Sequence, residues 1–244
     1  MRIAALTLFP GLFETYKSEG LFDRAVNAGL VDLTAVDIRD FTLDKHRTAD
    51  DIPYGGGPGM VMKPEPVVRA VESLGEDFAG ARTIIMSPRG SLFTQSDAEE
   101  LSLCSSMVLI CGRYKGIDER VAEIIGATEI SVGDYILGAG EIAALAVIDS
   151  VVRLIPGYLG DIESAESDSL GAPNRLLSAP EYTRPREFRG LGVPEVLLSG
   201  NHAAIEKWKR RESLRITLER RPEILEKADL SDEERRYLEG LKKQ

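Results

Sequence analysis

The chain has 244 residues, 43% of them apolar and 29% charged, enough for one large domain or a domain with a small appendage. That balance, with 23 glycines and 12 prolines, excludes a disordered or fibrous chain. The longest uncharged, apolar-leaning stretch, Leu101 to Gly112, falls short of the about 20 residues that span a bilayer. The first ten residues carry a short apolar core without a small-residue cleavage site, and read as a buried first strand rather than a signal peptide. Two cysteines, Cys104 and Cys111, make no disulfide framework, so the expected compartment is the reducing cytoplasm.

A net charge of −10 argues against a nucleic-acid partner only as a sum. Residues 1–160 hold 14 Lys/Arg against 23 Asp/Glu, whereas residues 184–221 hold ten against five. A local basic face still binds phosphate, because charges further than a Debye length of about 8 Å are screened. On charge alone, a solvated helix surface remains the simpler reading of that stretch.

Apolar β-type runs at Ile3–Phe9, Val31–Val36, Thr83–Met86, Met107–Cys111 and Thr128–Val132 predict strands. Helical patterns lie between them, around Gly20–Ala28, Glu65–Ser73, Ser96–Leu103 and Asp118–Ile125. This alternation predicts an α/β domain with a mostly parallel sheet buried on both faces. Glu141–Ile155 is an almost wholly apolar helix pattern, buried in the core or at a subunit interface. Gly160–Asn174 is small, polar and acidic, and reads as a linker. A basic helix over His202–Arg221 follows, broken by Pro222, and then a helix over Leu230–Leu241 capped by Ser231 and Glu234. The expected organisation is residues 1–160, a linker 161–176 and a small helical domain 177–244.

Two distant histidines and a Cys104-x6-Cys111 spacing disfavour zinc, and no G-x-S-x-G marks a serine nucleophile. The loop Tyr54-Gly55-Gly56-Gly57-Pro58-Gly59 offers backbone N–H groups to an anion but lacks the Gly-Lys-Ser/Thr of a Walker loop. Gly138–Ala143 fits G-x-G-x-x-G/A, yet the strand that a dinucleotide fold needs after that helix is missing. Glycine-bearing turns follow successive strands at Ser87-Pro88-Arg89-Gly90, Gly112–Gly116, Gly133-Asp134-Tyr135 and Gly138-Ala139-Gly140. They are either simple turns or the lining of one small-molecule pocket at the carboxyl edge of the sheet.

These turns, with Thr7–Pro10, His46-Arg47-Thr48, Tyr54–Met60, Cys111–Tyr114, Gly116–Arg120, Ser131–Tyr135, Ile155-Pro156-Gly157, Tyr182–Pro185 and Leu198–His202, resemble one family along nearly the whole chain. It is the family of bacterial tRNA (guanine-N1)-methyltransferases that modify guanosine 37 with S-adenosylmethionine. The resemblance implies a deep trefoil knot in the α/β domain, a helical C-terminal domain and a homodimer that binds tRNA. It implies a cofactor site of Gly112, Ser131, Val132, Gly133, Asp134, Tyr135, Ile136 and Leu137, walled by Met86, Ser87, Pro88, Tyr114, Lys115, Gly116 and Gly140. It implies Asp168 as general base and Arg153 as the cation facing guanine O6, and a divalent ion, usually Mg²⁺, that no ligand cluster in the sequence locates. It places tRNA contacts at His46, Asp50, Gly57, Gly59, Arg184, Asn201, His202 and Arg210.

The residues alone leave alternatives beside these roles. Asp168 equally reads as a solvated linker acid like Glu163 and Glu166, and Arg153 as a cation at a helix C-terminus. His202 equally starts a helix, and Trp208 equally packs in the small domain. Lys115 stands where the family usually has Glu, Ala139 where it usually has Gly, and Ile85 where an aromatic is common. A tRNA-binding module with weakened cofactor binding is therefore the alternative reading.

Overall fold

The computed structural model describes residues 1–159, 168–171 and 175–242. The chain divides into two compact units, Met1–Gly160 and Asp161–Gln244.

In the first unit, β1 (Arg2–Thr7) leads to α1 (Pro10–Lys17), α2 (Gly20–Asn27) and β2 (Asp32–Asp37). A small antiparallel pair, β3 (Asp50–Asp51) and β4 (Val61–Met62), precedes α3 (Pro64–Glu72). Then come β5 (Arg82–Leu92), α4 (Gln95–Ser102), β6 (Ser106–Cys111), α5 (Arg120–Ile125), β7 (Thr128–Ser131) and α6 (Glu141–Val152). The five longer strands form one parallel sheet in the order β2-β1-β6-β5-β7.

Alternation of side chains across the pleat explains why those strands read as unbroken apolar runs. Ile3, Ala5, Ile84, Met86, Met107, Leu109 and Cys111 face one core with Phe13, Phe22 and the buried face of α6. Ala4, Leu6, Ile85, Val108 and Ile110 face the other, with Met62, Val67, Ala70 and Val121. Each large aliphatic side chain buried this way contributes about 1.5–3 kcal/mol.

Element ends follow local hydrogen bonding. Helix α5 starts at Arg120, two residues later than expected, because the Asp118 carboxylate accepts the Arg120 N–H at 3.1 Å. Helix α6 stops at Val152 rather than Ile155, where Leu154 and Ile155 donate to Val151 and Val152 in tighter three-residue turns. Strand β5 outruns the expected Thr83–Met86: residues Ser87–Gly90 bulge out, and pairing with β7 resumes at Ser91. Helix α1 was absent from the pattern-based expectation; Pro10 opens it and only Phe13 is buried.

One buried polar link ties the sheet to α6. The Thr7 hydroxyl accepts the Phe9 N–H at 2.8 Å and donates to Glu141 Oε1 at 2.6 Å, with both side chains buried.

In the second unit, a hairpin of β8 (Glu187–Phe188) and β9 (Leu191–Gly192) precedes α7 (Glu195–Leu198), α8 (His202–Arg220), α9 (Pro222–Leu225) and α10 (Asp232–Leu241). Ser231 and Glu234 form the expected capping box of α10. Pro222 ends α8 and takes the first turn of α9. Leu176, Leu214, Leu230 and Leu238 make its core. Most of the expected linker, including Glu163 and Glu166, lies outside the described residues. At its far end Leu176 is already part of this core, and the next residue, Leu177, donates its N–H to Thr217 Oγ1 at 3.0 Å.

Among the described residues no helix is long and apolar enough to cross a membrane. Thr7→Val leaves a buried carboxyl without its donor, and is expected to lower unfolding free energy by about 1.5–3 kcal/mol. Urea denaturation with an unchanged m-value is the measurement that checks it.

Candidate active site

The loops after β5, β6 and β7 meet at the carboxyl edge of the sheet around a cavity of about 300 Å³, the edge at which open parallel sheets hold ligands. The structure brings fourteen of the fifteen expected cofactor-site residues to its walls: Met86, Ser87, Pro88, Gly112, Tyr114, Lys115, Gly116, Ser131, Val132, Gly133, Tyr135, Ile136, Leu137 and Gly140.

The exception is Asp134, which is exposed and does not line the cavity. The Tyr135 N–H donates to the Gly133 carbonyl at 2.9 Å, and Gly133 has φ +152°. Asp134 is the apex of that three-residue turn, so the turn that brings Tyr135 to the wall leaves Asp134 out of it.

Gly140 fixes the back of the cavity. Its N–H donates to the Gly112 carbonyl at 2.8 Å, and a Cβ placed on it would stand 2.9 Å from Cys111 Cα and from the Gly112 nitrogen. Neither neighbour is a flexible side chain, so only glycine fits. The adjacent Arg113–Ala139 bridge joins the same two loops. Ala139 is thereby accommodated within the wall rather than excluded from it. Burial, and the nearby Glu141 carboxyl, push the Cys111 thiol well above its ordinary range.

The turn after β6 is laced to β4 and the loop before it. Lys115 donates its N–H to Met60 O, Met62 to Gly116 O and Asp118 to Met62 O, each at 3.0 Å. The Lys115 methylenes lie over Gly59, at 3.2–3.3 Å from the place of a Cβ, and the ammonium reaches toward Gly57. The positive charge of Lys115 is therefore directed along the glycine loop. The Asp118 carboxyl is held below its usual range by the Arg120 guanidinium, which donates to it at 2.8 Å.

Arg113, Asp118 and three further charged wall residues, Arg89, Glu119 and Glu129, were not expected at the site. Arg89 donates to Glu119 at 2.8 Å and to Glu129 at 3.1 Å, bracing the β5 bulge against the loop before α5 and against β7. Arg89 and Glu119 lay within the motifs quoted above; Glu129 carried no local signal, because only strand pairing brings it there.

The other expected residues lie elsewhere. Arg153 is the half-buried C-cap residue of α6. Asp168, in the second unit, is exposed, and its carbonyl accepts the Gly171 N–H at 3.0 Å. His46 is exposed, with its backbone N–H bound to Asp44 at 2.9 Å, and Asp50 pairs with Met62. Gly57 and Gly59 have φ +101° and +94° in the glycine loop.

In the second unit Arg184 and His202 are exposed, and Asn201 caps α8 by accepting the Ala204 N–H at 3.2 Å. Arg210 is committed to Glu234 of the α10 capping box at 2.5 Å. That bond ties α8 to α10 and gives Arg210 a role within the unit. Trp208 is half-buried beside Tyr182, their ring centroids 6.5 Å apart, and stands outside the leucine core.

Comparison with known proteins agrees along the whole chain. A family model described as tRNA (Guanine-1)-methyltransferase TrmD matches residues 1–227. A tRNA (guanine-N(1)-)-methyltransferase of Persephonella marina is 50% identical over 243 residues, covering 100% of this chain and 95% of the relative. The protein of that name from Geobacillus kaustophilus is 48% identical over 244 residues, covering 100% and 99%. One from Dehalococcoides mccartyi is 52% identical over 242 residues, covering 99% and 97%.

Two outcomes are expected of this geometry. Gly140→Ala forces the Cys111–Gly112 backbone aside, lowering the melting temperature and speeding amide exchange at residues 111–114. Cys111, buried and with its thiol held protonated, stays unlabelled when native protein is alkylated at pH 8, whereas the partly exposed Cys104 reacts. Mass spectrometry of the labelled peptides reads the difference.

Proposed function

The chain belongs to the tRNA (guanine-N1)-methyltransferase family, and from that premise we propose that it methylates N1 of guanosine 37 in tRNA with S-adenosylmethionine as donor. Members have a trefoil-knotted α/β fold with a helical C-terminal domain, and this chain shares it. The observation that carries the reading is the cavity itself. Fourteen residues picked out by motif converge on it, around a backbone approach that only glycine permits.

The cavity fits the donor by its chemistry. Ile136, Leu137 and the Tyr135 ring offer apolar surface to a flat heterocycle, with Ile136 83% exposed and Tyr135 57%. The surrounding loops offer backbone N–H and carbonyl groups for ribose and amino-acid polar atoms. S-adenosylmethionine bound there supplies an electrophilic methyl group.

Guanine N1 carries a proton at neutral pH and is a poor nucleophile until that proton leaves. Asp168 is assigned to accept it, as a carboxylate within hydrogen-bond reach of N1 in the bound RNA. Arg153 is assigned to face O6, where negative charge accumulates as the proton departs. A base carried by a segment outside the cavity-forming unit couples its placement to the arrival of the correct RNA. Backbone groups of the glycine loop, with His46 and Asp50, and on the second unit Arg184, Asn201 and His202, are assigned to the tRNA.

A homodimer is part of the proposal. Phe9, Leu12, Leu137 and Ile142 line one shallow apolar surface on the first unit, suited to a second copy. Among the described residues no three His, Cys, Asp or Glu side chains converge as a metal site. No step is therefore assigned to Mg²⁺, an ion that commonly reaches an enzyme through substrate phosphates and retained waters. The proposed compartment is the cytoplasm.

The test is incubation with S-adenosylmethionine, Mg²⁺ and an unmodified tRNA transcript bearing guanosine 37. Nucleoside mass spectrometry is expected to find 1-methylguanosine there and none in a transcript lacking that guanosine. Asp168→Asn is expected to keep the thermal stabilisation given by S-adenosylmethionine while transfer falls by about 10²–10⁴-fold. Undiminished transfer would remove Asp168 from the role of base.

A further inference from the structure

The β8–β9 hairpin of the second unit displays side chains that its own fold does not use. Phe188 and Leu191 sit directly opposite one another across the two strands. They therefore share one face, yet Phe188 is 62% exposed and Leu191 79%. Neither belongs to the leucine core of the unit. The connecting residues, Arg189 and Gly190, have φ +55° and +80°, the signature of a two-residue type I′ turn. The Val193 N–H donates to the Arg186 carbonyl at 2.9 Å, which extends the ladder beyond the strands. The tip is thus a short, conformationally defined hairpin, and presenting its side chains costs little ordering entropy on binding.

The charges beside it are chosen. Arg186 is neutralised by Glu195 at 2.7 Å. Arg189 instead folds its guanidinium over the Phe188 ring, 5.2 Å from the centroid. Among the described residues neither Arg189 nor Arg184 has a carboxylate at salt-bridge distance. An exposed aromatic ring overlaid by a guanidinium that has no carboxylate at salt-bridge distance among the described residues complements a polyanion that also offers π-faces.

We propose that this hairpin is an RNA-binding element, which stacks an unpaired nucleobase of the tRNA on Phe188 and holds the adjoining phosphate with Arg189. The inference rests on tRNA being the substrate, and deepens that reading by adding a contact that the family motifs do not assign. The two residues divide the work. Stacking supplies affinity that salt does not screen, and the guanidinium supplies the salt-dependent part.

The test measures tRNA affinity of the full chain across a salt series, for the unsubstituted protein, Phe188→Ala, Phe188→Trp and Arg189→Ala. Phe188→Ala is expected to weaken binding about tenfold with little change in salt slope, and Phe188→Trp to restore it. Arg189→Ala is expected to lower the slope of log affinity against log salt by about one. The exposed positions leave melting temperature, and stabilisation by S-adenosylmethionine, at the unsubstituted values.

Unchanged tRNA affinity in Phe188→Ala and Arg189→Ala, with the unsubstituted protein binding and methylating tRNA, would overturn the inference alone. Loss of self-association by Phe188→Ala, read by sedimentation with tRNA affinity intact, would also overturn it, in favour of a contact between copies. Failure of the unsubstituted protein to bind tRNA would overturn the inference together with the function it rests on.

Discussion

The chain after β7 crosses the end of β6 at a distance that admits no side chain, and the architecture of the first unit turns on that crossing. Gly140 lies against Cys111 and Gly112, its N–H bound to the Gly112 carbonyl. This close approach places the first residue of α6, Glu141, beneath the end of β1, where Thr7 meets its carboxyl. It also sets the 133–140 loop as the wall opposite the turns after β5 and β6, with the cavity between them. A methyl group at one position would disturb the helix start, the buried polar link and the cavity together, because dense interiors pass strain on rather than absorb it.

Within each unit, charge is arranged in closed local sets. Arg89 answers Glu119 and Glu129, Arg120 answers Asp118, and Arg210 answers Glu234. The exposed pairs add little stability, since solvent screens them. Their effect is to fix which loops face each other and to leave the cavity wall with few uncommitted charges. Lys115 differs: among the described residues it has no acidic partner, and its stem rests on Gly59 of the glycine loop. Its ammonium is thereby directed along a loop that the proposed function assigns to the tRNA.

The second unit solves a different problem with less apolar material. Four leucines form its buried core, and capping by Asn201 and by Ser231 with Glu234 fixes where its two longer helices begin. Its hairpin leaves Phe188 and Leu191 in solvent, with Arg189, which has no carboxylate at salt-bridge distance among the described residues, over the Phe188 ring. A small core and a displayed aromatic–basic tip are consistent with a unit whose work is recognition rather than chemistry.

The sequence by itself determined the α/β class, the five sheet strands and most of their limits, because central strands such as β1 and β6, buried on both faces, are apolar at successive positions, and the edge strands β2 and β7 keep a shorter apolar pattern. It also determined the cap at Ser231 and the turns that wall the cavity, whose glycines and Asx-type residues act over three or four positions. Tertiary structure alone decided what depends on strands distant in sequence. The strand order and the return of β5 to β7 after its bulge bring Glu129 beside Arg89, and no local pattern encodes that meeting. The tight turn at Gly133 removed Asp134 from the wall between two residues that line it. Arg210, one basic residue among ten in its stretch, was committed to Glu234 by the packing of α8 on α10. Short-range geometry is written in residue types, whereas partnership between charges is fixed only once the chain has folded back on itself.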